Sequence, residues 1–154
     1  MDKKKIILIL GASSGIATEL NKFFYKKYPL YFFYFKNKPG YLKNTKAIKL
    51  DLQNLKKIKI TLNKLKIKNK KIIILNLATT KIDKISYNIN NNDLEKSFKV
   101  NTFSFFNFVQ FLLPKMIKEK WGRVINFSST GGSAGDKGTL LYTTSKNATH
   151  GIIK

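Results

Sequence analysis

The chain has 154 residues, 43% hydrophobic and 25% charged, with 30 basic residues against 8 acidic ones and a net charge of +22. That length and balance suit one domain with an ordinary core and exclude a disordered or collagen-like chain. Zero cysteines and a single histidine, His150, exclude disulfides, thiolate catalysis, zinc–thiolate centres and multi-histidine metal sites. In chain order, the basic and apolar start Met1–Leu10 leads into a glycine turn without a cleavage site, so a signal peptide is not expected and the expected location is the cytoplasm. Lys5–Leu10 reads as a short apolar strand. From Ile16, the positions Ile16, Leu20, Phe23 and Phe24 share one helical face. Leu30–Phe35 is a second strand, and Asn37–Gly40, with Pro39, is a loop. Ala47–Leu52 is a third strand. Leu55, Ile58, Leu62 and Leu65 then step along an amphipathic helix whose other face is lysine.

Lys71–Leu77 is apolar on both faces, as a central parallel strand should be. Asn88–Asp93 reads as a polar loop with Asp93 as a helix cap, and a long helix covers about Val100–Glu119. Arg123–Ser128 is a fifth strand. A loop holding Gly131, Gly132, Gly135 and Gly138 precedes a last helix from about Leu140. Runs longer than a membrane helix needs, about 18–20 apolar residues, are missing. Strands alternating with helices at this spacing predict an α/β fold, a doubly wound parallel sheet of five strands covered on both faces.

The charge invites a nucleic-acid reading, yet 29 of the 30 basic residues are lysine and the one arginine is Arg123. Base-edge recognition leans on arginine, so no specific nucleic-acid partner is expected, only salt-sensitive adhesion to polyanions. Chemistry concentrates elsewhere. Gly11-Ala12-Ser13-Ser14-Gly15-Ile16-Ala17 lies between the first strand and the first helix, where a chain must turn sharply and offer backbone N–H groups and a helix N-terminus to a phosphate. Tyr142 and Lys146 are four apart on one helical face, and an ammonium beside a phenol lowers the phenol pKa from ~10, as proton transfer near neutrality requires. Ser129 follows the fifth strand, Asn76 ends the central strand and Asn101 opens the long helix, so these polar groups gather at the carboxyl edge of the sheet.

With GASSGIA, Asp51-Leu52, Asn76–Thr79, Asn101, GRVINFSS and YTTSK in this order, the whole chain resembles the short-chain dehydrogenase/reductase family. The resemblance implies a Rossmann sheet of order 3-2-1-4-5 and an NAD(P)-dependent oxidoreductase interconverting a ketone and a secondary alcohol. It implies Tyr142 as general acid/base, Lys146 as ribose ligand and modulator of Tyr142, Ser129 as holder of the substrate oxygen, and Asn101 as positioner of a relay water. It implies a cofactor site of Gly11, Ser13, Ser14, Gly15, Ile16, Lys36, Asp51 and Leu52, with Asn76 and Ala78 lining the adenosine pocket and Tyr142 and Lys146 at the nicotinamide end. No acidic residue lies between Glu19 and Asp51, whereas Lys36 and Lys38 sit where a 2′-phosphate would lie, so NADP is expected over NAD.

Departures from the family pattern are Leu10 before the first glycine, Leu77 and Thr79 after Asn76, and a chain that stops at Lys154 within the tyrosine helix. The expectation is a single domain over 1–154 without the family's C-terminal strands; the alternative is a truncated, catalytically silent nucleotide- or partner-binding remnant. With the fifth strand left as an apolar edge, marginal stability, self-association and low or no activity are expected. The crowded Phe103, Phe105, Phe106, Phe108 and Phe111 point to a helix buried on several sides, one of them against the sheet. The resemblance implies a second subunit of a homodimer or homotetramer on another, the alternative being an unusually aromatic core contact. His150 is read as a surface residue and Trp121 as packing.

Overall fold

The computed structural model describes residues 2–40, 43–131 and 137–153. Gly132 and Gly135 of the glycine loop, and Lys154, lie outside the described residues. Five strands form one parallel sheet in the order β3-β2-β1-β4-β5: β1 Lys5–Leu10, β2 Leu30–Tyr34, β3 Thr45–Lys49, β4 Lys71–Asn76 and β5 Gly122–Asn126. The helices are α1 Gly15–Phe24, α2 Leu55–Asn63, α3 Asn91–Phe98, α4 Ser104–Lys118, α5 Leu140–Ala148 and α6 His150–Ile153.

The doubly wound topology follows from the burial of each strand. On one face, Ile6, Leu8, Tyr31, Phe33, Ile72 and Ile74 meet Ile58 and Leu62 of α2 and Phe105, Phe108, Leu112 and Met116 of α4. Phe33 and Phe108 cross edge to face with centroids 5.1 Å apart. On the other face, Ile7, Ile9, Leu30, Phe32 and Leu75 pack on α1 through Ala17, Leu20 and Phe24. Alone among the described helices, α1 packs into this second cluster, and it sits over β1 and β2. The expected cover of β5 on both faces is therefore incomplete: Val124 is half-buried beside α4, and Ile125, pointing to the α1 side, is 45% exposed.

Several boundaries differ from the sequence expectation. Strand β3 spans Thr45–Lys49 instead of Ala47–Leu52, because its pairing runs from Leu30↔Thr45 to Tyr34↔Lys49. Strand β5 ends at Asn126, one further bond (Phe127 N–H to the Asn76 carbonyl, 3.1 Å) closing the pairing, so Ser128 and Ser129 lie in the following loop. The expected loop Asn88–Asp93 contains the start of α3. Asn90, and not Asp93, is the cap: its side chain accepts from the Asp93 N–H at 2.9 Å while the Asp93 carboxylate accepts from the Asn90 N–H, a reciprocal capping box. The expected helix Val100–Glu119 starts instead in a π-helical turn, Lys99–Phe103, that joins α3 to α4, and Asn101 sits inside that turn.

The Phe-rich segment separates by face: Phe105 and Phe108 are fully buried, whereas Phe103 and Phe106 are close to half exposed. Phe108→Ala should therefore remove about 3–5 kcal/mol of unfolding free energy in urea titrations, and Phe106→Ala less than about 1 kcal/mol.

Candidate active site

The site grows out of the β1–α1 turn. Gly11 has φ +77, a left-handed conformation, and a Cβ there would lie 2.6 Å from the Ala78 nitrogen. Glycine is required at this position on both counts. The tight contact brings the ends of β1 and β4 together at the point where the strand order reverses, which is where open α/β sheets bind ligands. Ser14 caps α1, accepting from the Ala17 N–H at 3.2 Å, while the N–H groups of Gly15 and Ile16 in the first turn have no intrahelical acceptor. No acidic side chain occupies that turn, and a Cβ at Gly15 would meet nothing within 4 Å. The hydroxyl of Ser13 donates to the Asn37 carbonyl, pinning the loop after β2 to the turn.

Beside the turn lies a cleft of about 450 Å³. Of the residues expected at a cofactor, Gly11, Ser13, Ser14, Lys36, Asp51, Leu52 and Ala78 line it. Gly15 and Ile16 stand next to it at the head of α1, with Ile16 exposed. The Asp51 carboxylate accepts from the Gln53 N–H at 2.9 Å. Asn76 does not reach the cleft. It is fully buried, donates to the Asn126 side-chain oxygen at 2.8 Å and accepts from the Ala78 N–H at 3.3 Å, so it braces β4 against β5 from behind Ala78. Thr79 and Thr80 also line the cleft, although neither was expected to.

The second cluster is built on α5. Lys146 is buried on the same helical face as Tyr142, and its ammonium donates to the Phe127 carbonyl just beyond β5. Burial holds its pKa below the ordinary lysine value. Ser129, half-buried in the loop after β5, accepts from the Gly131 N–H at 3.2 Å. Asn101 is fully buried. Its oxygen accepts from the Thr80 N–H at 2.6 Å, and its amide donates to the Thr80 carbonyl at 3.0 Å and to Ser145 Oγ at 2.8 Å. Around it, Ser97 donates to the Leu141 carbonyl (3.2 Å) and Thr102 to the Ser145 carbonyl (2.8 Å).

Sequence reasoning passed over Ser97, Thr102 and Ser145. Only Ser145 carried a signal, its place between Tyr142 and Lys146. A chain from Asn126 to Thr149 (2.6 Å) and from Thr149 to the Lys146 carbonyl (2.6 Å) ties the far end of the same helix to β5. His150 is exposed as expected, and its Nε2 lies 2.6 Å from Ser128 Oγ.

Residues 5–154 match the family model described as short chain dehydrogenase. The chain is 38% identical over 82 residues to the 3-oxoacyl-(acyl-carrier-protein) reductase FabG of Aquifex aeolicus, an alignment covering 53% of this chain and 33% of that protein. With the reductase of the same name from Rickettsia prowazekii it shares 28% identity over 155 residues, covering 97% of this chain and 64% of that protein. The chain thus spans about a third to two thirds of the length of the curated relatives it matches. A solved 4-hydroxyisoleucine dehydrogenase complexed with NADH has the same fold, with a TM-score of 0.86 at 24% identity over 96% of this chain and 66% of that one.

The two glycines of the turn should respond oppositely to a methyl group. Gly11→Ala is expected to lower stability by about 2–5 kcal/mol through strain and backbone overlap. Gly15→Ala, in open space within a helix, should stay within about 1 kcal/mol of the parent or above it. Chemical denaturation of the two variants side by side checks this.

Proposed function

This chain belongs to the short-chain dehydrogenase family, and from that premise we propose that it carries an NAD(P)-dependent oxidoreductase site that interconverts a ketone and a secondary alcohol. The observation that carries the proposal is the placement of a buried Lys146 on the face of α5 that holds Tyr142, tethered to the strand end that leads into Ser129. The turn fits a dinucleotide: Gly11 permits close backbone approach, Gly15 leaves open space, and the α1 N-terminus offers unpaired N–H groups to a pyrophosphate. Gly11, Ser13, Ser14, Gly15 and Ile16 would hold the phosphates, Asp51, Leu52 and Ala78 the adenosine, and Lys146 the nicotinamide ribose. When bound, the dinucleotide supplies or accepts the hydride.

The chain's own residues handle the oxygen and the proton. In the reductive direction Ser129 donates a hydrogen bond to the substrate carbonyl oxygen. Tyr142 gives its phenolic proton to that oxygen as negative charge develops there, and takes it back from the alcohol in the oxidative direction. The Lys146 ammonium favours the phenolate left behind. Asn101 acts as a positioning residue: its amide fixes Thr80 at the cleft and Ser145 on the Tyr142 helix, and we assign to it the placing of the relay water.

Preference for NADP rests on Lys36 at the cleft wall and on the lack of any carboxylate at the end of β2. The fold itself admits NADH, as the 4-hydroxyisoleucine dehydrogenase complex illustrates. Titration should show tighter binding of NADPH than NADH, with Lys36→Glu reversing the order; tighter NADH binding by the parent chain would refute the preference. With a panel of ketones, Tyr142→Phe should abolish turnover and leave NADPH affinity nearly unchanged, whereas Lys146→Ala should damage both. Half the parental rate in the Tyr142 variant would remove that residue from the mechanism. NADPH binding with no turnover of any ketone would favour the silent nucleotide-binding remnant.

We also assign a subunit-pairing role to the exposed stripe of Phe103, Phe106, Leu113 and Ile117, whose steps of three, seven and four place them on one side of the helix. Sedimentation should find a homodimer or homotetramer, and Phe106→Glu should shift it to monomer.

A further inference from the structure

At the opposite end of the sheet from the cleft, the amino ends of β1, β2 and β3 enclose a second hollow of about 490 Å³. Ile6, Leu30 and Tyr31, all buried, form its floor, and Lys46 Nζ lies 5.8 Å from the centre of the Tyr31 ring. Its rim carries Lys3, Lys46, Lys66 and Lys70, contributed by three separate stretches of chain, and no carboxylate lines it. The cofactor cleft has two lysines, Lys36 and Lys96, among eighteen lining residues and includes Asp51; this hollow has four among ten.

None of the ion pairs among the described residues involves a rim lysine. The Lys70 ammonium donates one bond to the Lys3 carbonyl at 2.7 Å, which draws two rim positions together and leaves two of its three protons for another acceptor. Next to the rim, by contrast, Lys5 pairs with Asp2 at 3.3 Å and lies with Lys71 against the Trp121 ring. The C-terminus of α2 attracts cations, but that attraction fades within a turn and accounts for Lys66 alone. Among the described residues, Lys3, Lys46 and Lys70 converge without an ion pair to any carboxylate.

We propose that this hollow binds an organic phosphate, its oxygens held by the four ammonium groups and its apolar body lying over Tyr31 and Pro29. The proposal is independent of the oxidoreductase assignment, since the hollow and the cofactor cleft share no lining residue.

The test is a titration of the full chain with 1-naphthyl phosphate, and separately with inorganic phosphate, followed residue by residue in ¹H–¹⁵N spectra. Saturable shifts at Leu30, Tyr31, Thr45 and Lys46, with naphthyl phosphate the tighter ligand, are expected. Lys46→Glu combined with Lys66→Glu should weaken binding about tenfold or more. The same charge change at Lys56 and Lys59 on α2, away from the hollow, should alter it less than about twofold, because solvated charges beyond roughly 10 Å are screened. Lys66→Gln, which removes one charge without reversing it, should fall between. Shifts confined to the Gly11–Ala17 turn would overturn the proposal. So would equal weakening by the two double variants, or shifts spread evenly over surface lysines as for any polyanion.

Discussion

The side-chain amide of Asn101 is the joint on which the candidate site depends. It holds both backbone groups of Thr80, which follows β4, and reaches Ser145 on the helix that carries Tyr142 and Lys146. Three segments far apart in sequence are thereby fixed relative to one another, with the Asn101 and Ser145 side chains buried and Thr80 at the cleft wall. Buried polar groups of this kind are expensive when unmatched and strongly orienting when matched. No buried side-chain nitrogen or oxygen among the described residues lacks a partner. The cleft wall and the helix that carries Tyr142 and Lys146 are therefore two sides of one hydrogen-bonded unit.

The strands were legible because a parallel strand buried on both faces must be a short apolar run, and β1, β2 and β4 are such runs; their order followed from the family resemblance. The strand ends were less legible. Leu50 and Leu52 are buried beyond β3, and hydropathy alone cannot separate burial from pairing. Helix α3 was hidden because Asn90, Asn91, Asn92 and Asp93 look like a turn, and the same side-chain chemistry that closes a turn also caps a helix. Motif spacing singled out Tyr142, Lys146 and the glycine turn, all local patterns. It did not reveal that Asn76 faces β5 instead of the cleft, since Asn126 is fifty residues away. Nor did it reveal Ser97 and Thr102, which bond to α5 residues more than forty positions away.

The large positive charge contributes little to holding the fold together. The ion pairs among the described residues are largely solvent-exposed, and such pairs typically add ~0–1 kcal/mol. Cations are instead placed against aromatic faces: Lys5, Lys71 and Arg123 all lie within 6 Å of the Trp121 ring centre. Trp121 thus packs as expected, and it also spreads charge across the amino ends of three neighbouring strands.

The π-helical turn at Lys99–Phe103 sets an angular relation between two halves of one rod. The Ser104 N–H reaches back five residues to the Lys99 carbonyl, so the rod is locally wider by one residue than an α-helix. Each residue turns an α-helix by about 100°. Deleting one residue from this turn would rotate the row Phe105, Phe108, Leu112 and Met116 by that amount relative to the α3 segment. The sheet would then meet that apolar row only if Ser97 swung away from α5. The inserted residue works as a fixed phase shift, letting a single helical rod present its polar joint to one neighbour and its apolar face to another.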